Sequence, residues 1–475
     1  MRYRRRMRVR DVGIAVLLGA IGSAGCILIN SFDEVKAHLA DSGPPAESGV
    51  PDSVVHNDAD AIATETTPPP VDADVGPDAP LVEDHGLLVV GGEIAAGSAR
   101  QQKLFVIDPL DGSELSREDM TVSAVVFDGK GDRWYIFQNA APTHVQPVPG
   151  DKITLHVRTW NLQGRKWDPD LKTIDVPTLV EHGVMAMLNG EIAYVAYTDT
   201  GSLGLTLLNA NASDPSKIGL IGSKPTYDLP VTSGILALLG TPNGSSTGGW
   251  VSLLHKGTCT GSGDTACPLE TYRVQVPNSF VDPVVATTPK PAAAIPNSTS
   301  LTPGWGVRLS PAEHLVAIPH TDTDPNGTIV RIEPTTGDTI GSLKWSMAAS
   351  ATKQLKPMAS SECNGGTIFA IELISEQIYA IPVSDPAHAI NQKSDNPGQF
   401  LVWEPYTRTV IAPYSQGTGK ELLAYQMKVD AATKKPVSLV KRTGASWKVP
   451  DDLFPNIVGV KQLNSDPCPG PDVTP

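Results

Sequence analysis

The best match to a known metal-binding pattern in the sequence is DTDPNGTIVRIE, residues 322–333. Its oxygen-bearing side chains and its glycine follow the spacing of a calcium-binding loop: Asp322, Asp324, Asn326, Gly327 and Glu333. Carboxylate and amide oxygens are the ligands that Ca²⁺ prefers in proteins. The spacing therefore makes this segment a calcium candidate.

The residues around this segment restrict the prediction. An EF-hand loop is flanked by helices, whereas LVAIP before the segment and TIVRI within it have strand character. An extended strand rises about 3.3 Å per residue, so Glu333 would lie about 20 Å from Gly327. We therefore expect Glu333 to be too far away to bind the same ion.

The remaining ligands resemble the core of the calcium-binding hairpins in integrin-like propellers. In that resemblance Asp322, Asp324 and Asn326 would hold the ion, but Val330 stands where the family has a further aspartate. The alternative is a polar hairpin tip that uses Asn326-Gly327 as its turn. No other cofactor is expected.

Other motif-like stretches predict turns rather than catalysis. GSSTG at 244–248 matches the Gly-x-Ser-x-Gly motif of a hydrolase nucleophile elbow, but it joins two predicted strands instead of a strand and a helix. GTGK at 417–420 lacks the leading glycine of a phosphate-binding loop, and Glu421 replaces the required hydroxyl. The histidines, including His314 and His320, are scattered and predict structural roles. We therefore expect a protein that is not an enzyme.

The five cysteines divide into one near the N-terminus, Cys26, and four others. In an exported protein an odd number leaves one thiol over, whereas four cysteines can form two disulfides. Cys259 and Cys267 flank a glycine-rich tip and are expected to pair, which leaves Cys363 for Cys468, although three pairings are open. Zinc is disfavoured because there is no Cys-x-x-Cys pair or nearby histidine pair.

Residues 1–25 have the organisation of a signal peptide. Six arginines precede an apolar run at 12–21, which is too short to span a membrane. Ser23, Ala24 and Gly25 before Cys26 resemble the lipobox of bacterial lipoproteins, although Ser23 replaces the usual aliphatic residue. The resemblance implies cleavage before Cys26 and a diacylglycerol on its sulfur. The alternative is ordinary secretory cleavage after Ala24.

The same resemblance implies a location in the cell envelope. The residue after the lipidated cysteine is Ile27 rather than the aspartate that retains lipoproteins in the inner membrane. The expected destination is therefore the outer membrane.

Residues 26–85 are predicted to form a disordered tether after the lipidated cysteine. Within 31–85 there are thirteen acidic side chains, one lysine and many prolines, a composition that cannot support a packed core. Proline and charge repulsion should keep the tether extended. The whole chain has a net charge of −14, and no basic patch of the kind that phosphate backbones require is apparent. Nucleic acid is therefore not an expected partner.

Residues 86–475 predict an all-β domain. Apolar runs of four to seven residues alternate with clusters of Gly, Pro, Asn, Asp and Ser. LFVIDPLDGSEL at 104–115 and TIVRIEPTTGDTI at 328–340 share a strand, an acidic residue, a proline and a glycine. Comparable units place turns near residues 110, 163, 212, 262, 335, 384 and 432. An apparent insertion, 281–300, accounts for one larger gap.

Four strands per unit and a period of about 40 to 50 residues are typical of propeller blades. A single blade cannot bury both faces of its sheet, but neighbours in a ring can. The domain therefore resembles a seven-bladed β-propeller, in which HGLLVVGG at 85–92 or FPNIVGV at 454–460 could complete a blade started at the other end. Its tryptophans are expected to pack between blades: Trp134, Trp160, Trp305, Trp403 and Trp447. A pair of β-sandwiches is the alternative.

Together these features predict a lipid-anchored binding or scaffold module for another protein or a glycan. The alternative is a propeller hydrolase or lactonase with a metal in its central channel. Clustered carboxylates, Asn and His around the channel would favour the enzyme, and an apolar channel would favour the binding module.

Overall fold

The computed structural model describes most of the chain between Gly86 and Lys461. Within that range it leaves out residues 97–98, 129–131, 141–147, 181–184, 189–190, 211–213, 232–234, 243–247, 260–265, 278–281, 287, 297–305, 311–312, 319–325, 347–354, 362, 364–365, 373–376, 395–399, 414–421 and 451. The regular secondary structure of the described residues is β-strand apart from short 3-10 helices, which confirms the prediction of an all-β domain.

One sheet, here called the closing sheet, combines strands from both ends of this range. It contains β1 (Leu88–Ala96), β2 (Ala99–Ile107) and β3 (Glu114–Asp119), with β32 (Leu453–Val460) beside β1. Leu88 is opposite Val460, and Val90 is opposite Val458. The prediction that a strand from one end of the domain completes a blade started at the other end is therefore confirmed.

Six blades are each built from one continuous stretch of chain. Blade 1 contains β4 (Val122–Asp128), β5 (Arg133–Asn139), β6 (Ile153–Arg158) and β9 (Lys172–Val176), and a small hairpin of β7 (Trp160–Asn161) and β8 (Lys166–Trp167) extends it. Blade 2 contains β10 (Met185–Met187), β11 (Glu191–Tyr197), β12 (Leu203–Asn209), β13 (Gly219–Leu220) and β14 (Tyr227–Asp228). Blade 3 contains β15 (Ile235–Pro242), β16 (Gly249–Lys256), β17 (Ala266–Val276), β18 (Val284–Val285) and β19 (Lys290–Pro296).

The other three blades have four strands each. Blade 4 contains β20 (Gly306–Ser310), β21 (Glu313–Ile318), β22 (Asn326–Ile332) and β23 (Thr339–Ser346). Blade 5 contains β24 (Leu355–Ser361), β25 (Thr367–Glu372), β26 (Gln377–Pro382) and β27 (Ile390–Lys393). Blade 6 contains β28 (Val402–Glu404), β29 (Thr409–Pro413), β30 (Leu422–Val429) and β31 (Pro436–Lys441). Three short 3-10 helices, Pro215–Lys217, Pro386–His388 and Gly444–Ser446, lie in connections.

Hydrophobic clusters join each sheet to the next and close the ring. One cluster links the closing sheet to blade 1, a second links blade 1 to blade 2, and a third links blade 2 to blade 3. Two more extend from blade 3 to blade 5 and from blade 5 through blade 6 to the closing sheet. The fold is therefore a β-propeller, as predicted. Six blades come from continuous chain, and the composite closing sheet is the seventh sheet of the ring.

The repeated turn predicted from the sequence joins the third and fourth strands of a sheet. The amide of Gly112 donates to the carbonyl of Asp108 at 2.8 Å, and the amide of Gly337 donates to the carbonyl of Glu333 at 2.7 Å. Both glycines have a positive φ, 76° and 72°, which favours glycine. These two turns confirm the strand–turn–strand unit.

One prediction about blade 3 is confirmed and one is wrong. The connection around residue 262 joins β16 to β17, as predicted for a strand–turn–strand unit, although these are the second and third strands of this blade. The segment 281–300, predicted to be an insertion, supplies β18 and β19, which both pair with β17. This segment is rich in proline, and an outermost strand tolerates proline because one of its edges needs no partner.

Cationic side chains fasten one sheet to the next at three seams. In each case the cation donates to a backbone carbonyl in the turn before the next sheet's outer strand. Lys172 of blade 1 donates to Ser216 at 2.5 Å, and Arg442, which follows blade 6, donates to Pro109 of the closing sheet at 2.8 Å. Arg273 of blade 3 binds the carbonyl of Thr335 in blade 4. These contacts hold the outer turns of neighbouring sheets in register.

Candidate binding surface

The ring has two different ends, which follow from the strand order. The first strand of each blade leads through a hairpin to the second, as at 404–409 between β28 and β29, and these hairpins define the hairpin end. The connections from second to third strands, and those from one blade to the next, lie at the opposite end, here called the loop end. Many connections there are longer, such as Asn139 to Ile153 and Lys256 to Ala266.

The described part of the chain starts at the hairpin end. Leu88 pairs with Val460 at the finish of β32, and the carbonyl of Leu87 accepts from the amide of Lys461 at 2.8 Å. A Cβ placed on Gly86 would lie 3.0 Å from the carboxylate of Glu404 in the blade 6 hairpin. Residues 1–85 therefore join the ring at the end opposite the longer loops.

The predicted disulfide between Cys259 and Cys267 is confirmed and stabilises a loop-end connection. These cysteines are bonded, and their Cα atoms are 4.3 Å apart. Lys256 is opposite Leu269, and the amide of Gly257 donates to the carbonyl of Pro268 at 2.8 Å. The bond therefore continues the pairing with β17 beyond the end of β16.

The other two predicted cysteine assignments involve residues that the structure does not describe. Cys363 is buried and disulfide-bonded. Its predicted partner, Cys468, lies outside the described residues, as does the predicted lipidation site, Cys26. Both assignments stay predictions.

A loop-end connection of blade 1 is anchored by a single aspartate that the sequence analysis missed. The carboxylate of Asp151 accepts from the amide of Val148 at 2.9 Å and from the side chain of Asn139 at 3.2 Å. The hydroxyl of Thr178 donates to the carbonyl of Asp151 at 2.5 Å. Val148 is 41% exposed in this anchored connection. It therefore presents an apolar side chain to solvent at the loop end.

Only part of the calcium candidate is described. Asp322 and Asp324 lie outside the described residues, and Asn326 is the first residue of β22. Asn326 pairs with Ser346, and Gly327 pairs with Trp345, so the turn predicted at Asn326-Gly327 is wrong. The calcium site stays a prediction.

Glu333 belongs to the next turn, at the far end of β22, as the strand argument predicted. Its carboxylate accepts from the amides of Thr335 and Thr336, at 3.0 and 2.5 Å. Partial burial opposes ionisation, but these hydrogen bonds and those from the two hydroxyls outweigh it and lower the pKa of Glu333 to about 2. Glu333 is therefore an acceptor within its own turn.

Glu404 is a buried carboxylate with a structural role at the hairpin end. It accepts from the amides of Tyr406 and Thr407, at 3.0 and 2.7 Å, and is fully buried. Burial raises the pKa of Glu404 although these hydrogen bonds oppose the shift. A raised carboxylate pKa is a common sign of an acid catalyst, but this side chain is enclosed by its own hairpin.

The histidine and tryptophan predictions are confirmed where the structure describes the residues. His314 is fully buried, and its Nε2 lies 2.8 Å from the hydroxyl of Thr241 across the seam between blades 3 and 4. His320 and Trp305 lie outside the described residues. The other predicted packing tryptophans are all buried: Trp134, Trp160, Trp403 and Trp447.

The structure does not describe most of the hydrolase-like motif or any of the motif that resembles a phosphate-binding loop. Residues 244–247 and 417–420 lie outside the described residues. The amide of Gly248 donates to the buried carboxylate of Glu191, at 3.0 and 3.1 Å to its two oxygens. This contact fastens blade 3 to blade 2.

The innermost strands of the ring carry mainly buried apolar side chains. All residues of β4 and β10 are buried, and most are Val, Ala, Phe or Met. Among the described residues, no group of three or more His, Cys, Asp or Glu is arranged to hold a metal ion. No helix in the same residues has the length and hydropathy needed to span a membrane.

Solved structures with a similar fold share little sequence with this chain. A protein from Lactobacillus plantarum is 13% identical and matches 79% of this chain and 99% of its own length, with a TM-score of 0.43. A functionally unknown protein from Desulfotomaculum acetoxidans is 10% identical, with coverage of 79% and 100% and a TM-score of 0.45. The β-propeller domain of Cps50 (Swd1) from Myceliophteria thermophila is 12% identical, with coverage of 68% and 87% and a TM-score of 0.34.

No protein-family model and no curated protein matches this sequence. The architecture described above therefore rests on the strand pairing of the chain itself.

Proposed function

We propose that this protein is a lipid-anchored, extracytoplasmic β-propeller that binds a protein or a glycan without catalysis. The signal-like N-terminus and the lipobox-like residues before Cys26 support export and anchoring. The disulfide between Cys259 and Cys267 supports an oxidising compartment. The outer membrane is the proposed location.

The observation that carries the binding role is the placement of the two ends of the ring. The acidic segment joins the ring at the hairpin end, beside Glu404. The connections at the opposite end are longer, and two of them are held by the Cys259–Cys267 bond and by Asp151. An anchored propeller would therefore carry its loop end away from the attachment point, where a partner could reach it.

The apolar packing of the innermost strands supports a binding module over an enzyme with a metal in the channel. The buried residues of β4 and β10 fill space between blades rather than presenting ligands to an ion. Function in propellers depends on the loops and not on the fold, so the loop end is the proposed binding surface.

The anchor is tested by the intact mass of protein extracted from membranes, with and without reductant. We expect a mature chain that begins at Cys26, carries diacylglycerol and contains two disulfides. The Cys26→Ala variant should move to the soluble fraction. A soluble wild-type chain that begins at Gly25, with an unmodified Cys26 thiol, would show that the anchor proposal is wrong.

The binding surface is tested with the unlipidated Cys26→Ala chain as immobilised bait. We expect Val148→Asp, at the loop end, to reduce capture of the partner by about tenfold because it places a charge in the contact surface. Leu110→Asp is the matched control, since Leu110 is 45% exposed in a turn of the closing sheet. If both variants captured the partner equally well, the binding surface would not be at the loop end.

A further inference from the structure

Blade 6 concentrates positive charge on a protein that is acidic overall. Between residues 422 and 448 there are six cationic side chains and one acidic side chain, Asp430. Strand β27 of blade 5 packs beside β31 and adds Lys393. Apart from Arg442, which binds the closing sheet, these cations form what we call the basic face: Lys393, Lys428, Lys434, Lys435, Lys441 and Lys448.

The basic face is accessible and partly apolar. Lys393, Lys434 and Lys448 are exposed, and the other three lysines are half-buried. Val437 and Val440 on β31 are 41% and 42% exposed among them. Such a surface can attract an acidic chain that also carries apolar residues.

The neighbouring carboxylates offset part of this charge. Asp385 pairs with Lys435 at 2.5 Å. Asp430 accepts from the amides of Ala432 and Thr433 in its own turn, and Asp111 faces Lys448 and Arg442 from the closing sheet. Glu404 and Asp108 also face Arg442. These five carboxylates are fewer than the seven cations, which are the six lysines of the basic face and Arg442.

An acidic segment of the same chain begins beside this blade. Residues 31–85 contain thirteen acidic side chains and one lysine, and they are joined directly to Gly86. Gly86 lies next to Glu404 of blade 6. At about 3.5 Å per extended residue, Glu83 and Asp84 stay within about 10 Å of Gly86. Covalent attachment also gives the segment a high effective concentration at the face.

We propose that the acidic segment 31–85 folds back onto the basic face of blade 6. Leu81 and Val82, next to Glu83 and Asp84, provide apolar side chains for Val437 and Val440. At low ionic strength this contact shortens the distance that the segment can span from the ring. Salt or a competing polyanion breaks the contact and restores that distance. The proposal does not depend on the lipid anchor or on the loop-end partner.

The test is the rate at which a glutamate-specific protease cleaves the full mature chain after Glu83, with Cys26→Ala throughout. At about 20 mM salt we expect the Lys434→Glu/Lys448→Glu variant to be cleaved about fivefold faster than the parent chain. At about 0.5 M salt the two rates should converge because screening releases the segment in the parent chain.

Arg165→Glu/Lys166→Glu is the matched control, because it makes the same change in charge on blade 1. Arg165 and Lys434 both have a positive φ, 47° and 58°, so the two double variants carry a similar backbone cost. Thermal unfolding of both variants checks that the ring is intact. Equal acceleration by both double variants, or equal rates for Lys434→Glu/Lys448→Glu and the parent chain, would overturn the proposal.

A membrane surface is the competing occupant of the basic face. Vesicles of phosphatidylglycerol and of phosphatidylcholine distinguish the two, again with the Cys26→Ala chain. We expect the parent chain to bind neither strongly, because its own acidic segment occupies the face. Binding to phosphatidylglycerol that Lys434→Glu/Lys448→Glu abolishes, with Glu83 cleaved equally fast in both chains, would assign the face to lipid and refute the fold-back.

Discussion

Ile457→Asp is expected to unfold the protein under conditions in which the wild-type chain is stable. Ile457 is fully buried between the closing sheet and blade 1. Loss of its side-chain packing costs about 2–5 kcal/mol, and burial of a carboxylate without a partner adds several more. Because typical domains are stable by about 5–15 kcal/mol, this cost exceeds or nearly equals the whole stability.

The effect is large because β32 is where the ring closes. The other blades are continuous in the chain, so each is held together by its own hairpins, whereas β32 is held to β1 only by pairing and packing. Damage to this one strand therefore opens the whole ring.

A graded series at this position measures the contribution of the closing strand. Denaturant unfolding should show a loss of about 1 kcal/mol for Ile457→Val and about 2–5 kcal/mol for Ile457→Ala. Val284→Asp is the control, because Val284 is 60% exposed on β18 and should change stability by less than about 0.5 kcal/mol. If Ile457→Asp were as stable as Val284→Asp, the closing sheet would not hold the ring.

The strands and outer turns were predictable because their signals are local. Short apolar runs mark the strands, and the turn after Asp108 needs a glycine at a positive φ. The related turn in blade 6 has Lys434 in that conformation, with its amide 2.8 Å from the carbonyl of Asp430. Here the spacing of the strands, rather than the glycine, located the turn.

The strand order of blade 3 could not be predicted from the sequence, because two of its segments have the composition of other kinds of structure. The glycine-rich tip between Cys259 and Cys267 has the appearance of the repeated outer turn, but it joins the second and third strands. The segment that forms β19 contains Pro291 and Pro296, and proline normally argues against a strand. Only the pairing with β17 shows that this segment is an edge strand.

The residues of the candidate surfaces were harder to predict than the fold, because their partners are distant in the chain. Asp151 shares no motif with Thr178, and Glu191 shares none with Gly248. The basic face was missed for a different reason. The net charge of the whole domain is negative and hides this local group of cations. Lys393 joins the group only because β27 packs beside β31.

Gly240→Ala is expected to destabilise the ring by about 3 kcal/mol although it adds a single methyl group. Gly240 lies on β15, the innermost strand of blade 3. A Cβ at this position would lie 2.3 Å from the carbonyl oxygen of Met187 and 3.2 Å from the Cβ of Ala186 in blade 2. A backbone carbonyl in a paired strand cannot move independently, so the two innermost strands must separate.

Gly219→Ala provides the matched control for the same substitution on an outer strand. A Cβ on Gly219 meets no atom within 4 Å, so this variant should be within about 0.5 kcal/mol of the wild-type chain. The measurement is the free energy of unfolding in denaturant for both variants. A difference of about 3 kcal/mol between them would show that the ring needs a glycine at 240 for the contact between blades 2 and 3. If the two variants were equally stable, these innermost strands would have room to move apart, and the tight seam described here would be wrong.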